Sequence, residues 1–248
     1  MAGSASAGRG ASKGESVTGI RETLWGAVAT VVVVAVSACS APSRATSPKK
    51  VRQLAGSAQA LHAREKTESR LRGVARAYSD DTPLTLGMLV VRDMCVGGKA
   101  KQLFDSNGDD TYKIRCSLRV TAYYGADPER IVSVLDGVLT AGDHTGSGIP
   151  FTHDADRAVV DRYRYHAGAL EQTELSTPWH TLSWDPVRGH QPYLMIQEPD
   201  VCPTGEPPVI RCTREPEAQT VAALRKRYGM VFKLDLTEPE YFGVSKGG

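Results

Sequence analysis

The chain has 248 residues, 41% hydrophobic and 23% charged, with a formal net charge of +2. That length and apolar content support one sizeable core or two small ones and exclude disorder along the whole chain. Three of the 30 Lys and Arg and two of the 28 Asp and Glu precede Cys39, so the rest is nearly neutral; it has no basic stripe interleaved with aromatics, which argues against a nucleic-acid partner.

Residues 1–20 are rich in Gly, Ser and Ala and carry Arg9 and Lys13; Arg21 follows, and then an apolar run over 24–36. A basic segment leading into an apolar one is the order of a signal sequence. The uncharged stretch 23–40 holds 18 residues, only some of them strongly apolar, against the roughly 20 that cross a bilayer core. Positive charge ahead of it predicts the N-terminus inside and the remainder outside.

The run ends in Val36-Ser37-Ala38-Cys39, an aliphatic residue, two small residues and a cysteine. This tetrapeptide resembles the lipobox of bacterial lipoprotein precursors, with Val36 where strict versions carry Leu, and the high Ala, Gly and Arg content is similar to that of high-GC actinobacterial proteins. The resemblance is limited to the signal region, residues 1–39. It implies cleavage before Cys39 and diacylglycerol on its sulfur; two acyl chains anchor stably where one short chain does not, at roughly 0.8 kcal/mol per buried CH2. The same residues also suit an ordinary signal-peptidase site, which releases a secreted protein, or an uncleaved single-pass anchor. All three outcomes place the domain outside the cytoplasm. The expected partner is therefore the membrane, with an envelope protein or a small molecule as ligand.

Lipidation of Cys39 leaves Cys95, Cys116, Cys202 and Cys212, an even set in an oxidising compartment. Four cysteines allow three pairings. Local pairing is expected, Cys95 with Cys116 and Cys202 with Cys212, because the second pair encloses the short proline-rich PTGEPPVIR and the first flanks two segments that read as a hairpin. No C-x-x-C spacing points to a thiolate zinc site, and no metal or cofactor is expected.

Beyond Cys39, residues 40–50 (SAPSRATSPKK) are Ser, Pro and Lys rich and read as a flexible tether. Residues 51–80 read as a stalk-like, partly exposed helix: Val51, Leu54, Ala58 and Leu61, then Leu71, Ala75 and Tyr78, keep helical spacing, while Arg64, Glu65, Lys66 and Glu68 interrupt the stripe. The single domain, residues 81–248, follows. After Pro83 comes a strand over 84–95, and after the turn DSNGDD the clearest strand of the chain, where Tyr112, Ile114, Cys116, Leu118, Val120, Ala122 and Tyr124 alternate with polar residues. Asp127 and Pro128 open a helix that carries Ile131, Val134, Leu135, Val138 and Leu139 to Gly142. A Gly-rich loop leads to a short helix capped by Thr152 or Asp154, with Ala155, Val159 and Tyr163 on one face.

Strands are expected near 180–184 and 193–197, a helix from Pro216 to Leu224 ended by Gly229, and a last strand with Met230, Phe232, Leu234 and Leu236 inward. The sum is an α+β fold, a mainly antiparallel sheet with helices packed on one face.

Four features raise chemistry. DSNGDDTYKIRC places Asp105, Asn107 and Asp109 as in a calcium loop, but Asp110 stands where the turn needs Gly and Cys116 where Glu should be, so a hairpin turn explains it. His144, His153, His166, His180 and His190 mix with Asp143, Asp154, Asp156 and Asp161, which is the material for a hydrolase or metal-dependent enzyme built on residues 143–166. That alternative requires at least two of His144, His153 and His166 to converge with a carboxylate. Ser147 lies in T-G-S-G-I, which is not a nucleophile elbow. Trp179, Trp184 and Tyr193 are candidates for a ligand surface, although such residues more often fill a core. A disulfide-braced binding or structural domain without catalytic residues is the reading these observations favour.

Overall fold

The computed structural model describes residues 45–100, 111–166, 173–187, 192–200, 202 and 209–246. The chain divides into two units, residues 1–40 and 41–248, and every described residue belongs to the second. The signal stretch with Cys39, the DSNGDD turn, His190 and the PTGEPP segment lie outside the described residues.

In chain order the elements are α1 (Pro48–Ala55), α2 (Ala58–Asp80), β1 (Thr85–Gly97), β2 (Tyr112–Ala126), α3 (Ile131–Asp143), α4 (His153–His166), β3 (Glu174–Ser176), β4 (His180–Trp184), β5 (Val209–Glu215), α5 (Val221–Tyr228) and β6 (Met230–Ser245). The strands form one sheet in the order β3-β4-β6-β2-β1-β5, and every neighbouring pair is antiparallel. The expected α+β class and antiparallel sheet are both present.

Alternation in β2 puts Ile114, Cys116, Leu118, Val120, Ala122 and Tyr124 on one face, all fully buried. Phe232, Leu234 and Leu236 of β6 and Leu89 and Val91 of β1 join them, and α2, α3 and α4 cover this face with Leu71, Ala75, Tyr78, Val134, Leu135, Val138 and Tyr163. Two buried polar tips are satisfied there: Tyr124 Oη donates to the carbonyl of Ala75 at 2.7 Å, and Trp184 Nε1 donates to Tyr163 Oη at 2.8 Å. A smaller cluster at the far end of the same face joins Val51, Ala55 and Ala60 to Cys95, Ile114, Cys116 and Phe242.

The expected stalk over 51–80 is corrected on two counts. Helix formation begins at Pro48, inside the expected tether; Ser47 Oγ accepts from Lys50 N, and the helix is broken at Gly56 before Ser57 caps α2. And α2 lies on the sheet. Two of the charged residues that interrupt its apolar stripe are partnered across the fold, Arg64 with Asp93 and Glu68 with Arg211; Arg72, paired with Glu68 within the helix, also reaches Glu215, while Glu65 and Lys66 are exposed. A run of charges that reads as solvated in one dimension is a seam between α2, β1 and β5 in three.

The expectation of helices on one face is also corrected. Helix α5 packs on the opposite face, Val221 and Leu224 against Met88, Val90, Tyr123 and Val231. Close approach is possible because of two glycines: a Cβ at Gly125 would stand 2.0 Å from Tyr228 Cδ2, and one at Gly87 2.2 Å from a Leu224 methyl. The helix starts at Val221, with Thr220 Oγ1 accepting from Ala223 N at 3.0 Å, and not at Pro216. It ends as expected at Gly229, whose φ of 96° suits glycine. No strand forms over 193–197; a single 3-10 turn, Pro192–Leu194, leads into an irregular segment that reaches Asp200.

Candidate functional site

Helix α5 covers only one end of its face of the sheet. Beside it the strands present Arg92 and Val90 from β1, Arg119 and Thr121 from β2, Lys233, Asp235 and Thr237 from β6, and Thr181 and Ser183 from β4. The register aligns them in rows: Arg92 pairs with Arg119 and Arg119 with Thr237, while Thr121 and Thr181 flank Asp235. A groove of about 330 Å³ runs between this floor and the segment 195–200, and an adjoining one of about 370 Å³ continues to Pro178 and Trp179. Arg119, Lys233 and Asp235 line both.

One wall is held by Asp185, which is 2% exposed. Its carboxylate accepts from Ile196 N at 2.8 Å, from Val231 N at 2.9 Å, and from Arg225 Nε and Nη2 at 2.7 and 2.9 Å. Arg225 Nη2 donates in addition to the carbonyl of Ile196 at 2.7 Å. Hydrogen bonding to Asp185 favours the charged guanidinium, raising the Arg225 pKa further. Glu198 accepts from Ala222 N at 3.0 Å, in the first turn of α5, and faces Arg214 at 3.3 Å. The opposite rim is Trp179 in the β3–β4 turn, 54% exposed, whose carbonyl accepts from Thr237 N at 3.0 Å.

On the floor, Asp235 accepts from Thr121 Oγ1 at 2.7 Å and pairs with Lys233 at 2.6 Å. Arg92 reaches the carbonyl of Asp200 at 3.3 Å and its carboxylate at 3.9 Å, while its Nε is buried without a hydrogen-bond partner. Burial, aided by the Asp235 and Glu198 carboxylates, raises the Tyr123 pKa well above its ordinary value. The floor thus offers donors and acceptors in alternation. The aromatic trio named from the sequence separates accordingly: Trp184 is fully buried against Phe232, Tyr193 is exposed, and Trp179 alone stands at the groove.

The cysteines pair as expected, Cys95 with Cys116 and Cys202 with Cys212. Cys95 and Cys116 stand directly opposite in the β1–β2 register and are fully buried. Beside them, on the helix-covered face, Asp93 is also fully buried; it accepts from Tyr241 Oη at 2.6 Å and lies 2.5 Å from Arg64 Nε. Burial raises the Asp93 pKa, against the pull of Tyr241 and Arg64, and burial followed by the Asp93 bond pushes Tyr241 up to about 12. This cluster ties α2 to the sheet, and nothing in local sequence pattern marks it.

The described histidine side chains do not assemble into a centre. His153 Nδ1 lies 2.6 Å from Asp143 and Nε2 3.4 Å from Asp136, and His153 N donates to Asp143 at 3.0 Å, so the start of α4 is fastened to α3. The Asp143 bond raises the His153 pKa, and the same bond lowers that of Asp143. The small groove beside them takes in Asp136, Asp161 and Arg164 but not His144, and the side chain of His166 lies outside the described ones. His144 is exposed at the end of α3, and His180 lies half-buried on β4, its pKa lowered by burial and then by Arg70. Among the described residues no group of three or more His, Cys, Asp or Glu could hold a metal ion. Ser147 Oγ accepts from Ile149 N at 3.2 Å, a turn contact. No helix among the described residues is long and apolar enough to cross a membrane.

No family model, curated protein or solved structure gives a significant match to the chain.

Proposed function

We propose that the protein is a lipid-anchored extracytoplasmic binding protein, held at the membrane by acylated Cys39 and presenting the open face of its sheet to a ligand. The observation that carries this reading is the cysteine arithmetic: Cys95, Cys116, Cys202 and Cys212 are consumed in two disulfides, and Cys39, at the end of the Val36-Ser37-Ala38 stretch, has no partner left. Two disulfides in a domain of this size support an oxidising compartment. His153 meets Asp143 and Asp136 without His144, which favours the binding reading over the hydrolase alternative. The groove over Arg119, Lys233 and Asp235 is the concave, polar surface that a binding role needs.

The address is tested by Cys39→Ser in the producing cell. Incorporation of radiolabelled palmitate is expected to vanish and the precursor to persist unprocessed. A Cys39→Ser chain that still labels and fractionates like the parent would sink the lipoprotein reading, while processing without label in either chain would identify a secreted protein.

A further inference from the structure

The open sheet face has one cation whose side chain has no partner among the described residues, an exposed aromatic ring and little apolar lining, and these select a class of ligand. Asp235 is engaged by Lys233 and Thr121, Asp200 faces Arg92, and Glu198 is taken by Arg214 and the first turn of α5. Glu174, on β3 at the far rim, is likewise engaged. Arg119 is exposed and lines both grooves, and its guanidinium has no hydrogen bond or ion pair among the described residues. It also stands directly opposite Arg92 in the β1–β2 register, a like-charge cross-strand pairing that costs stability unless an anion lies over it. The Arg92 Nε adds a second donor without a partner.

Trp179 rises at the end of the same groove, 54% exposed, with Thr181 and Thr237 beside it. An indole presents a flat apolar face, and an exposed one beside hydroxyl and carboxylate groups suits a molecule that is apolar on one side and rich in hydroxyls around its edge. A saccharide ring has that form. A guanidinium takes a carboxylate bidentately and more strongly than it takes a neutral hydroxyl.

Resting on the reading of the open sheet face as the ligand surface, we infer that the protein binds an acidic glycan, with a sugar ring stacked on Trp179 and its carboxylate on Arg119, bridged toward Arg92. The electron and proton inventory is unchanged; the step is association alone.

The test uses the full-length chain in detergent micelles, titrated with tetrasaccharides of galacturonate, mannuronate and glucuronate and with neutral cellotetraose, read by tryptophan emission and calorimetry. At least one uronate oligomer is expected to bind saturably with a blue shift of the Trp179 emission, and cellotetraose at least tenfold more weakly. Trp179→Ala is expected to remove the emission change, and Arg119→Gln to weaken uronate binding about tenfold or more and flatten its salt dependence. Both positions are exposed, so unchanged thermal unfolding serves as the check that each variant folds. Cellotetraose binding as tightly as the uronates, with Trp179→Ala still disabling, would overturn the acidic class while leaving the face as the ligand surface. Uronate binding untouched by Trp179→Ala and Arg119→Gln would overturn the face itself. No saturable response from any uronate would overturn the inference.

Discussion

Asp185 shows how much one side chain can organise. It follows Trp184 at the end of β4, where nothing in the local pattern distinguishes it from a turn residue, yet its carboxylate gathers two backbone N–H groups and a bidentate guanidinium. Removing one partner of such a pair leaves the other charge uncompensated, which in buried settings costs several kcal/mol. Arg225 keeps about a quarter of its side chain in solvent, so the lower part of that range applies. Asp185→Ala is therefore expected to destabilise the protein by about 3 kcal/mol in urea unfolding and to speed hydrogen exchange at Ile196. A loss under about 1 kcal/mol would mean that the groove wall is not held by this residue. Trp179 teaches the complementary lesson. Its residue type was visible in the sequence as a candidate for a ligand surface, but the same reasoning included Trp184 and Tyr193, and only the position of each on or off the sheet separated them.

Among the elements, legibility tracked local regularity. Strand β2 and the inward positions of β6 were readable because alternation with a period of two is a local signal, and α3 because its apolar positions repeat at helical spacing. Strand β5 was not readable: it is an edge strand beside a proline-rich segment, and Arg211 and Glu215 acquire their meaning from α2 across the sheet. Helix α5 was foreseen, although its start and the face it covers were not. The seat for α5 is set by two glycines in other elements. Gly125→Ala is expected to cost about 1–3 kcal/mol through the clash of its Cβ with Tyr228, and Tyr228→Ala in the same chain to recover part of that loss. A neutral Gly125→Ala would show that α5 does not pack as described; the readout is the midpoint of thermal or urea unfolding.

For the molecule as a whole, the disulfides link address to stability. Cys95 and Cys116 close a separation of 21 residues, and chain-entropy reasoning assigns such a crosslink about 3 kcal/mol. The paired change Cys95→Ser and Cys116→Ser is expected to lower unfolding free energy by about that amount, and thiol titration of the acylated, denatured and unreduced chain to find no free thiol. Two titratable thiols would reject one of the bridges. One would identify Cys39 as free and withdraw the acyl anchor, leaving the fold untouched.

By itself the sequence determined the class of the fold, the even count of four cysteines with local pairing as the expectation, and the candidacy of the fifth for lipid, because these rest on periodicity, separation and count along one dimension. The tertiary structure alone decided that Arg64 and Glu68 of α2 form a seam with the sheet, that His144 and His153 do not share a centre, and that Arg92, Arg119 and Trp179 share one open face. Those facts depend on strand order and register, where residues far apart in sequence become neighbours at distances that no local pattern encodes.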